Sequence, residues 1–417
     1  MVVVGAGLAG LTAARALAQG GRQVVVLEAA AQLGGRVKTR EVDGYLLDAG
    51  FQVLFTAYPA VRRNLDLRAL DLVELPPGVL LRGPRGDAVL GDPLRRPADR
   101  LPTLRAHYLT PKDKLLILRL RNQLLVGPAY RLLQGEDQPT LDFLRGYGFS
   151  EGALAAFLGP FLGGIFLRRD LQVSARLFLY YFRLMAEGKV ALPRRGMGQV
   201  ALQLADGLDL RLGAKVEALE GGSPGILRTP QGDWRAQEVV LATDPPELAR
   251  LLGIQLPVPS LPCISVYYTS PKKLEATDRL ILNAREGLIN HALWVSNVNP
   301  GCAPQGRHLL SLTLLGESAL SDPEIDTALR WELEWWYKPL QIAELELLQI
   351  ERIPHAQFAQ PPGYAAQLPS LVSGRTGVWV AGEITSMSGL QGALESGERA
   401  AAALLGDVAA LGRPRGA

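Results

Sequence analysis

The chain opens with a short apolar stretch that runs into a glycine-rich turn and then a helical pattern, MVVVGAGLAGLTAARALAQGG. Gly5 permits the tight turn, Gly7 lets backbone N–H groups approach a pyrophosphate, and Gly10 lets the helix pack closely on the strand. Leu8 and Ala9 begin the helix, whose N-terminus stabilises phosphate charge. The strand, turn and helix together predict a dinucleotide site at the start of the chain.

The next strand, predicted from Gln23 to Leu27, ends at an acid that supports this prediction. Glu28 follows Gly10 by 18 residues, and Ala29 comes directly after it. A carboxylate at this place accepts hydrogen bonds from the hydroxyls of the adenosine ribose. It would repel a 2′-phosphate, which disfavours NADP and leaves NAD and FAD.

Three later stretches bear on this choice: GGRVKTR from Gly34, DGYLLDAGFQVL around Asp48, and AGEITSMSGLQGALESGERAA near the end. With the first turn they resemble the flavin-containing amine oxidoreductase superfamily, which groups amine oxidases, protoporphyrinogen oxidases and carotenoid desaturases. The resemblance implies non-covalent FAD and lies closer to the desaturase and protoporphyrinogen oxidase branches. The cofactor contacts that it implies, beyond those of the first turn and Glu28, are Ala29, Gly35, Arg36, Gly50, Phe51, Gln52, Val216, Ala242, Gly382, Glu383, Gly392 and Ala393.

The closing stretch is expected to complete the site. A buried strand, VWVAG, precedes Glu383, and a helix is predicted to begin near Gly392 and Ala393. The N-terminus of that helix would stabilise negative charge on a reduced flavin. Glu383 stands where the family has an aspartate that binds the ribityl or phosphate region.

The fold predicted on this basis is α/β, with two parts. A Rossmann-like FAD-binding domain of the GR2 type is assembled from residues 1–74, 196–254 and 366–417. A mixed α+β substrate domain comprises residues 75–195 and 255–365. The segment PRRGMGQVALQ places Gly196 and Gly198 in a second glycine pattern, but no clear strand precedes it, and a helix entry is favoured over a second nucleotide site.

Departures from the amine oxidase branch favour a hydrophobic substrate that loses hydrogen to flavin. Pro262 stands where that branch has a lysine beside the flavin, and Leu390 stands where it has an aromatic side chain. Amine or polyamine oxidation remains the alternative, and a flavin-free prenyl or lipid carrier is a further one. The candidate residues for the substrate cavity are Tyr268, His291, Trp294 and Leu390.

No catalytic residue is assigned. His291 is the most attractive base, although a lone histidine on a strand more often has a structural role. Trp331, Trp335 and Trp336 lie at helical spacing and are expected to pack in the core.

Composition limits the partners. The formal net charge is only +3, so no nucleic-acid partner is expected, and the two cysteines, Cys263 and Cys302, indicate neither a metal site nor a disulfide framework. Between Arg82 and Arg131 there are eleven Lys or Arg against four Asp or Glu. A solvated charged face is the common reason for such an excess, and peripheral contact with the inner face of a membrane is the alternative. A cytoplasmic protein with a hydrophobic small-molecule substrate is expected.

Overall fold

The computed structural model describes residues 1–256 and 258–407, so the end of the last predicted segment, 408–417, lies outside the described residues. The strands in chain order are β1 (Val2–Val4), β2 (Val25–Leu27), β3 (Thr39–Val42), β4 (Tyr45–Asp48), β5 (Leu54–Phe55), β6 (Leu72–Glu74), β7 (Gly78–Gly83), β8 (Gly86–Gly91), β9 (Val190–Pro193), β10 (Asp209–Arg211), β11 (Ala218–Gly221), β12 (Gly225–Thr229), β13 (Gly232–Ala236), β14 (Val239–Leu241), β15 (Ser260–Ser270), β16 (Leu280–Asn283), β17 (Ile289–Trp294), β18 (His308–Leu315), β19 (Glu346–Phe358) and β20 (Val378–Val380).

The α-helices in chain order are α1 (Leu8–Gln19), α2 (Pro59–Asn64), α3 (Arg100–Arg105), α4 (Pro111–Leu124), α5 (Thr140–Tyr147), α6 (Glu151–Ala153), α7 (Gly159–Phe166), α8 (Ala175–Glu187), α9 (Gly198–Ala205), α10 (Pro245–Leu252), α11 (Val295–Val298), α12 (Asp322–Leu333), α13 (Pro339–Ile342) and α14 (Leu390–Leu404). None of these helices is long and apolar enough to cross a bilayer.

A five-stranded parallel sheet is formed in the order β10-β2-β1-β14-β20. Strands β1, β2 and β14 consist of Val and Leu and β20 is Val-Trp-Val, as expected where both faces of a parallel sheet are buried, whereas the edge strand β10 is Asp-Leu-Arg. Because β1 pairs with β14 and β14 with β20, distant parts of the chain meet around the first strand. Helix α14 packs on α1 so closely that a Cβ atom at Gly397 would lie 2.4 Å from the carbonyl oxygen of Ala9. These features confirm the predicted α/β fold class.

A seven-stranded sheet has the order β19-β15-β18-β17-β16-β7-β8. One of its faces is covered by α12, α13 and their flanks in a separate apolar core. Its strands come from the segments predicted for the substrate domain, whereas the five-stranded sheet uses only the other three segments. A small sheet, β5-β9-β6, combines strands from both sets of segments, and the domain boundaries themselves stay a prediction.

The tryptophans of α12 and its C-terminal extension correct one expectation. Trp331 and Trp335 are 66% and 60% exposed, because the buried face of α12 is formed by Ile325, Leu329 and Leu333. The guanidinium of Arg285 lies 3.7 Å from the ring centroid of Trp335, a cation–π contact on the surface. Only Trp336 packs against the core.

The second glycine pattern has a packing role. Helix α9 begins at Gly198, whose backbone N–H donates to Thr39 Oγ1 at 2.8 Å. A Cβ atom at Gly196 would lie 2.4 Å from the same hydroxyl oxygen. Both glycines therefore fit against the hairpin β3–β4, which supports the helix-entry interpretation.

Candidate cofactor and substrate site

A cavity of about 530 Å³ lies between the carboxyl ends of the parallel strands and one face of the seven-stranded sheet. This is where ligands bind in open α/β sheets. We call the part formed by the glycine turn, Glu28 and the N-terminus of α14 the nucleotide side. The part formed by β15, β17, β18 and β19 is the sheet side. Eighteen of the residues predicted for the cofactor or substrate line this cavity: Gly5, Gly7, Leu8, Ala9, Glu28, Ala29, Gly35, Arg36, Gly50, Phe51, Gln52, Val216, Ala242, His291, Gly382, Glu383, Leu390 and Ala393.

The first turn has the form that a pyrophosphate requires. Gly7 is the N-cap of α1 and no side chain caps the helix, so the first N–H groups of the helix have no partner within it. A Cβ atom at Gly7 would meet no heavy atom within 4 Å and would occupy open cavity space. Gly10, in contrast, is in close contact with the strand, since its Cβ atom would lie 2.0 Å from the carbonyl oxygen of Gly5. Gly7 thus leaves open space for a ligand, whereas Gly10 allows the helix to pack against the strand.

Glu28 is held at the end of β2 by backbone donors. Its Oε2 accepts from the N–H of Ala6 at 2.6 Å, and its Oε1 accepts from the N–H of Ala30 at 2.8 Å. Each carboxylate oxygen has a further lone pair, so both can still accept a hydroxyl proton. The geometry fits a ribose with two neighbouring hydroxyls.

Arg36 and Glu383 join the two turns of the nucleotide side. Arg36 Nη1 lies 2.6 Å from Glu383 Oε1 and also donates to the carbonyl oxygens of His355 and Ala356. The other carboxylate oxygen of Glu383 accepts from Ser388 Oγ and from the N–H of Gly389, the N-cap of α14. Although Glu383 lines the cavity, its carboxylate therefore holds the turn before α14 in place.

Gln52 offers an acceptor that has no protein partner. Its Nε2 donates to the carbonyl oxygens of Arg36 and Ala49, which fixes the orientation of the amide. Its buried Oε1 has no hydrogen-bond partner, and the residue lines the cavity. An unpaired buried acceptor is costly, so this position fits a donor on a bound group. Together with Gly7 and Glu28, it makes the residues present a suitable set for a flavin dinucleotide.

Four predicted residues do not line the cavity. Gly10 and Gly392 have packing roles, and a Cβ atom at Gly392 would lie 1.7 Å from the carbonyl oxygen of Met387. Tyr268 and Trp294 point to the opposite face of the seven-stranded sheet, where they bond Asp326 and Tyr337. Because side chains alternate along a strand, the neighbours of cavity-facing residues must face away. The structure corrects the prediction for these two aromatic residues.

The sheet side contains residues that the sequence analysis missed. Cys263, Ser265 and Thr313 line the cavity with His291 and Ile353. The signal was the alternation in CISVYYTS, where small polar residues share one face with Cys263, but that pattern does not say which face meets the cavity. Burial raises the pKa of Cys263 to about 11, so its thiol is neutral at physiological pH.

His291 is held in one orientation and one tautomer. Arg169 Nε donates to Asn290 Oδ1 at 2.7 Å, so the amide nitrogen of Asn290 faces His291 Nδ1, at 2.9 Å. That nitrogen is a donor, and Nδ1 must accept, which places the proton of the neutral ring on Nε2. Burial, and secondly the charge of Arg169, lower the pKa of His291 to about 3. With Nδ1 occupied and Nε2 protonated, the ring is a hydrogen-bond donor and lacks the free lone pair of a base.

The N-terminus of α14 faces the cavity, since Leu390 and Ala393 line it. The N-cap of this helix is Gly389, which has no side chain to cap it. The N-termini of α1 and α14 therefore both supply positive dipole ends to the nucleotide side. This is the arrangement expected for a ligand that carries negative charge at two places. No group of three or more His, Cys, Asp or Glu side chains in residues 1–256 and 258–407 could hold a metal ion.

Comparison with known proteins gives relatives with this fold. The provisionally assigned protoporphyrinogen oxidase of Exiguobacterium sp. 255-15 superposes with a TM-score of 0.72 at 20% identity, covering 97% of this chain and 98% of that one. A putrescine oxidase structure gives a TM-score of 0.69 at 19% identity, with coverage of 97% and 98%. Among curated sequences, the L-amino-acid oxidase of Sistrurus catenatus edwardsii is 42% identical over 74 residues. That match spans 18% of this chain and only 14% of the relative.

The family itself is established over nearly the whole chain. Residues 8–405 match the family described as flavin containing amine oxidoreductase. The match includes α1, every strand of the parallel sheet except β1, the seven-stranded sheet and α14. The chain therefore belongs to the flavin-containing amine oxidoreductase family, as an oxidoreductase whose cofactor is FAD.

Proposed function

We propose that the protein dehydrogenates a hydrophobic substrate by hydride transfer to FAD, in the manner of a carotenoid desaturase or a protoporphyrinogen oxidase. The observation that carries this proposal is the chemistry of the sheet side. Its lining residues are all uncharged, with a neutral histidine and a neutral thiol: Cys263, Ser265, His291, Thr313, Ile353, Ala356 and Gln357. The ionised lining residues belong to the nucleotide side and its surroundings. A cationic amine would find no carboxylate on the sheet side to pair with.

When bound, FAD supplies a two-electron oxidation, in which it accepts a hydride from a substrate C–H bond while a proton leaves the neighbouring atom. The protein orients and insulates this chemistry. Phe51 and Leu390 give the cavity apolar walls, and the N-terminus of α14 provides a fixed positive dipole. His291 does not take the proton, because neither ring nitrogen is free to accept it.

The proposal is tested by the choice between two kinds of substrate. Protein loaded with FAD is mixed without oxygen with phytoene, protoporphyrinogen, putrescine or benzylamine, and bleaching of the flavin absorbance is followed. We expect bleaching by an apolar compound and none by the amines. Rapid bleaching by a simple amine, with peroxide release in air, would establish amine oxidation in its place.

We also propose that the protein contacts an anionic membrane surface through α3, α4 and their flanks. This region carries the local excess of Lys and Arg and also several exposed apolar side chains: Leu94, Leu101, Leu104, Leu115 and Val126. Apolar side chains among basic ones suit the interface of an anionic bilayer. Co-sedimentation with phosphatidylserine-containing vesicles, but not with pure phosphatidylcholine vesicles, is expected, and Leu104→Asp should reduce it. Equal sedimentation of the wild type and Leu104→Asp, or no sedimentation of either protein, would contradict the proposal.

A further inference from the structure

Three polar side chains lie in one line across the sheet side. Ser265 on β15 is opposite Thr313 on β18, and Thr313 is opposite His291 on β17. Directly paired residues share a face of the sheet, and all three line the cavity. Their exposed fractions are 0%, 4% and 2%. We call Ser265, Thr313 and His291 the polar row.

Each member of the polar row has a buried polar atom without a hydrogen-bond partner. These atoms are Ser265 Oγ, Thr313 Oγ1 and His291 Nε2. A buried donor or acceptor that is left unpaired destabilises a fold, and here three such atoms lie on neighbouring strands. The cost is removed if a ligand atom bonds to them.

The direction of hydrogen bonding is set by His291. The chain of contacts from Arg169 through Asn290 places the proton on Nε2, so this atom can only donate. On the other edge of the ring, a Cβ atom at Gly164 would lie 3.1 Å from Nδ1, so α7 leaves little space for the ring to turn. Phe51 contacts the imidazole edge-on, with ring centroids 5.1 Å apart. The two hydroxyls can donate or accept and can adapt to a ligand that His291 selects.

We propose that the polar row binds a hydrogen-bond-accepting oxygen, such as a carbonyl or carboxylate, on an otherwise apolar substrate. The inference rests on the proposed function, because it names a feature of the substrate of that same site. An accepting oxygen satisfies Nε2–H and one or both hydroxyls. An ammonium group has only N–H donors, so it cannot accept the hydrogen bond that His291 Nε2–H offers. The positive charge of Arg169 also disfavours a cation in this region.

The test compares three small probes of one skeleton on the FAD-loaded protein by calorimetry. Methyl cinnamate carries an accepting oxygen, phenylpentene is its hydrocarbon counterpart of similar length, and cinnamylamine carries an ammonium group. We expect methyl cinnamate to bind about 10-fold more tightly than phenylpentene, and cinnamylamine to bind most weakly, since a site built for a polar group discriminates strongly. Equal affinity for the first two, or tightest binding of cinnamylamine, would overturn the inference.

Variants separate the polar row from other causes of the preference. His291→Phe should reduce the preference for methyl cinnamate to about 2-fold or less, whereas His291→Gln, which keeps an N–H donor, should restore most of it. Ser265→Ala and Thr313→Val should each reduce the preference for methyl cinnamate about 2- to 5-fold. These two variants provide the test if His291→Phe does not fold. Tyr268→Phe, on the same strand but on the other face, is the matched control and should leave the preference unchanged.

Two further outcomes keep this inference distinct from the proposed function. If His291→Phe weakens FAD binding and leaves the probe preference intact, the polar row contacts the cofactor and the inference is wrong. If the preference follows the polar row but no apolar compound bleaches the flavin, the proposed dehydrogenation fails and the inference stands, because the calorimetry does not depend on turnover.

Discussion

On the nucleotide side of the cavity the ligand-facing groups are mostly backbone N–H groups at two helix N-termini, with Glu28 as the main side chain. On the sheet side they are the side chains of the polar row, which come from three strands. A backbone site tolerates changes of side chain but depends on the close approach of main-chain segments. When a binding site is made of side chains, a substitution leaves the backbone in place and changes the groups that contact the ligand. Mutations on the two sides should therefore fail in different ways.

The largest effect is expected at Gly10. Its Cβ atom would lie 2.0 Å from the carbonyl oxygen of Gly5, a main-chain atom that cannot move aside without shifting the turn. Gly10→Ala should lower the free energy of unfolding by about 3 kcal/mol or more, the upper end for overpacking. Urea unfolding followed by circular dichroism measures this change. A loss below about 1 kcal/mol would show that the strand and helix can separate without cost.

Gly7→Ala gives the contrasting result within the same turn. The new methyl group meets no protein atom within 4 Å, and the extended backbone of Gly7, with φ −74°, suits alanine. We expect unfolding to be unchanged within about 0.5 kcal/mol, while FAD affinity falls about 10-fold or more because the open space at Gly7 is filled. Fluorescence titration of apoprotein with FAD checks the affinity. Unchanged FAD affinity would mean that this space does not hold the cofactor.

Asp48, at the end of β4, should show an intermediate effect that depends on pH. Its Oδ1 accepts from Thr39 Oγ1 at 2.5 Å and from the N–H of Met197 at 2.9 Å, and burial raises the pKa of the carboxyl from 3.8 to about 6. A raised acid pKa means that the folded state loses stability as pH rises from about 4 through 6. Asp48→Asn keeps an acceptor and has no charge, so it should be more stable than the wild type by about 1–3 kcal/mol above pH 6.

The measurement for Asp48→Asn is thermal unfolding of both proteins at several pH values. Below about pH 4 the two proteins should have the same stability, because Asp48 is then protonated in both the folded and the unfolded wild type. A stabilising effect that is the same at all pH values would show that the raised pKa is not its cause.

The same contrast explains what could be predicted from the sequence. The glycine turn, Glu28, Arg36 and the closing helix were predicted because their functions depend on local backbone geometry and on spacing along the chain. Family membership as a flavin enzyme also removes the flavin-free carrier alternative. Of the polar row, His291 was predicted, but Ser265 and Thr313 were missed because the row exists only after β15, β17 and β18 pair. Tyr268 and Trp294 were misplaced because alternation leaves the face of the sheet undetermined. Of the two cofactor contacts predicted at the start of α14, Ala393 lines the cavity, whereas Gly392 packs against the carbonyl oxygen of Met387.

The smallest expected effect is the response of the sheet side to pH. Because burial lowers the pKa of His291 to about 3, this ring stays neutral between pH 5 and 9. Cys263 is neutral over most of that range, since its pKa is raised to about 11, and the remaining sheet-side residues do not titrate. The affinity of the FAD-loaded protein for methyl cinnamate should therefore be constant between pH 5 and 9, and His291→Phe should lower it without changing that profile. If the wild type instead shows a transition near pH 6–7 that His291→Phe abolishes, His291 gains a proton in the working range and must be reconsidered as a base.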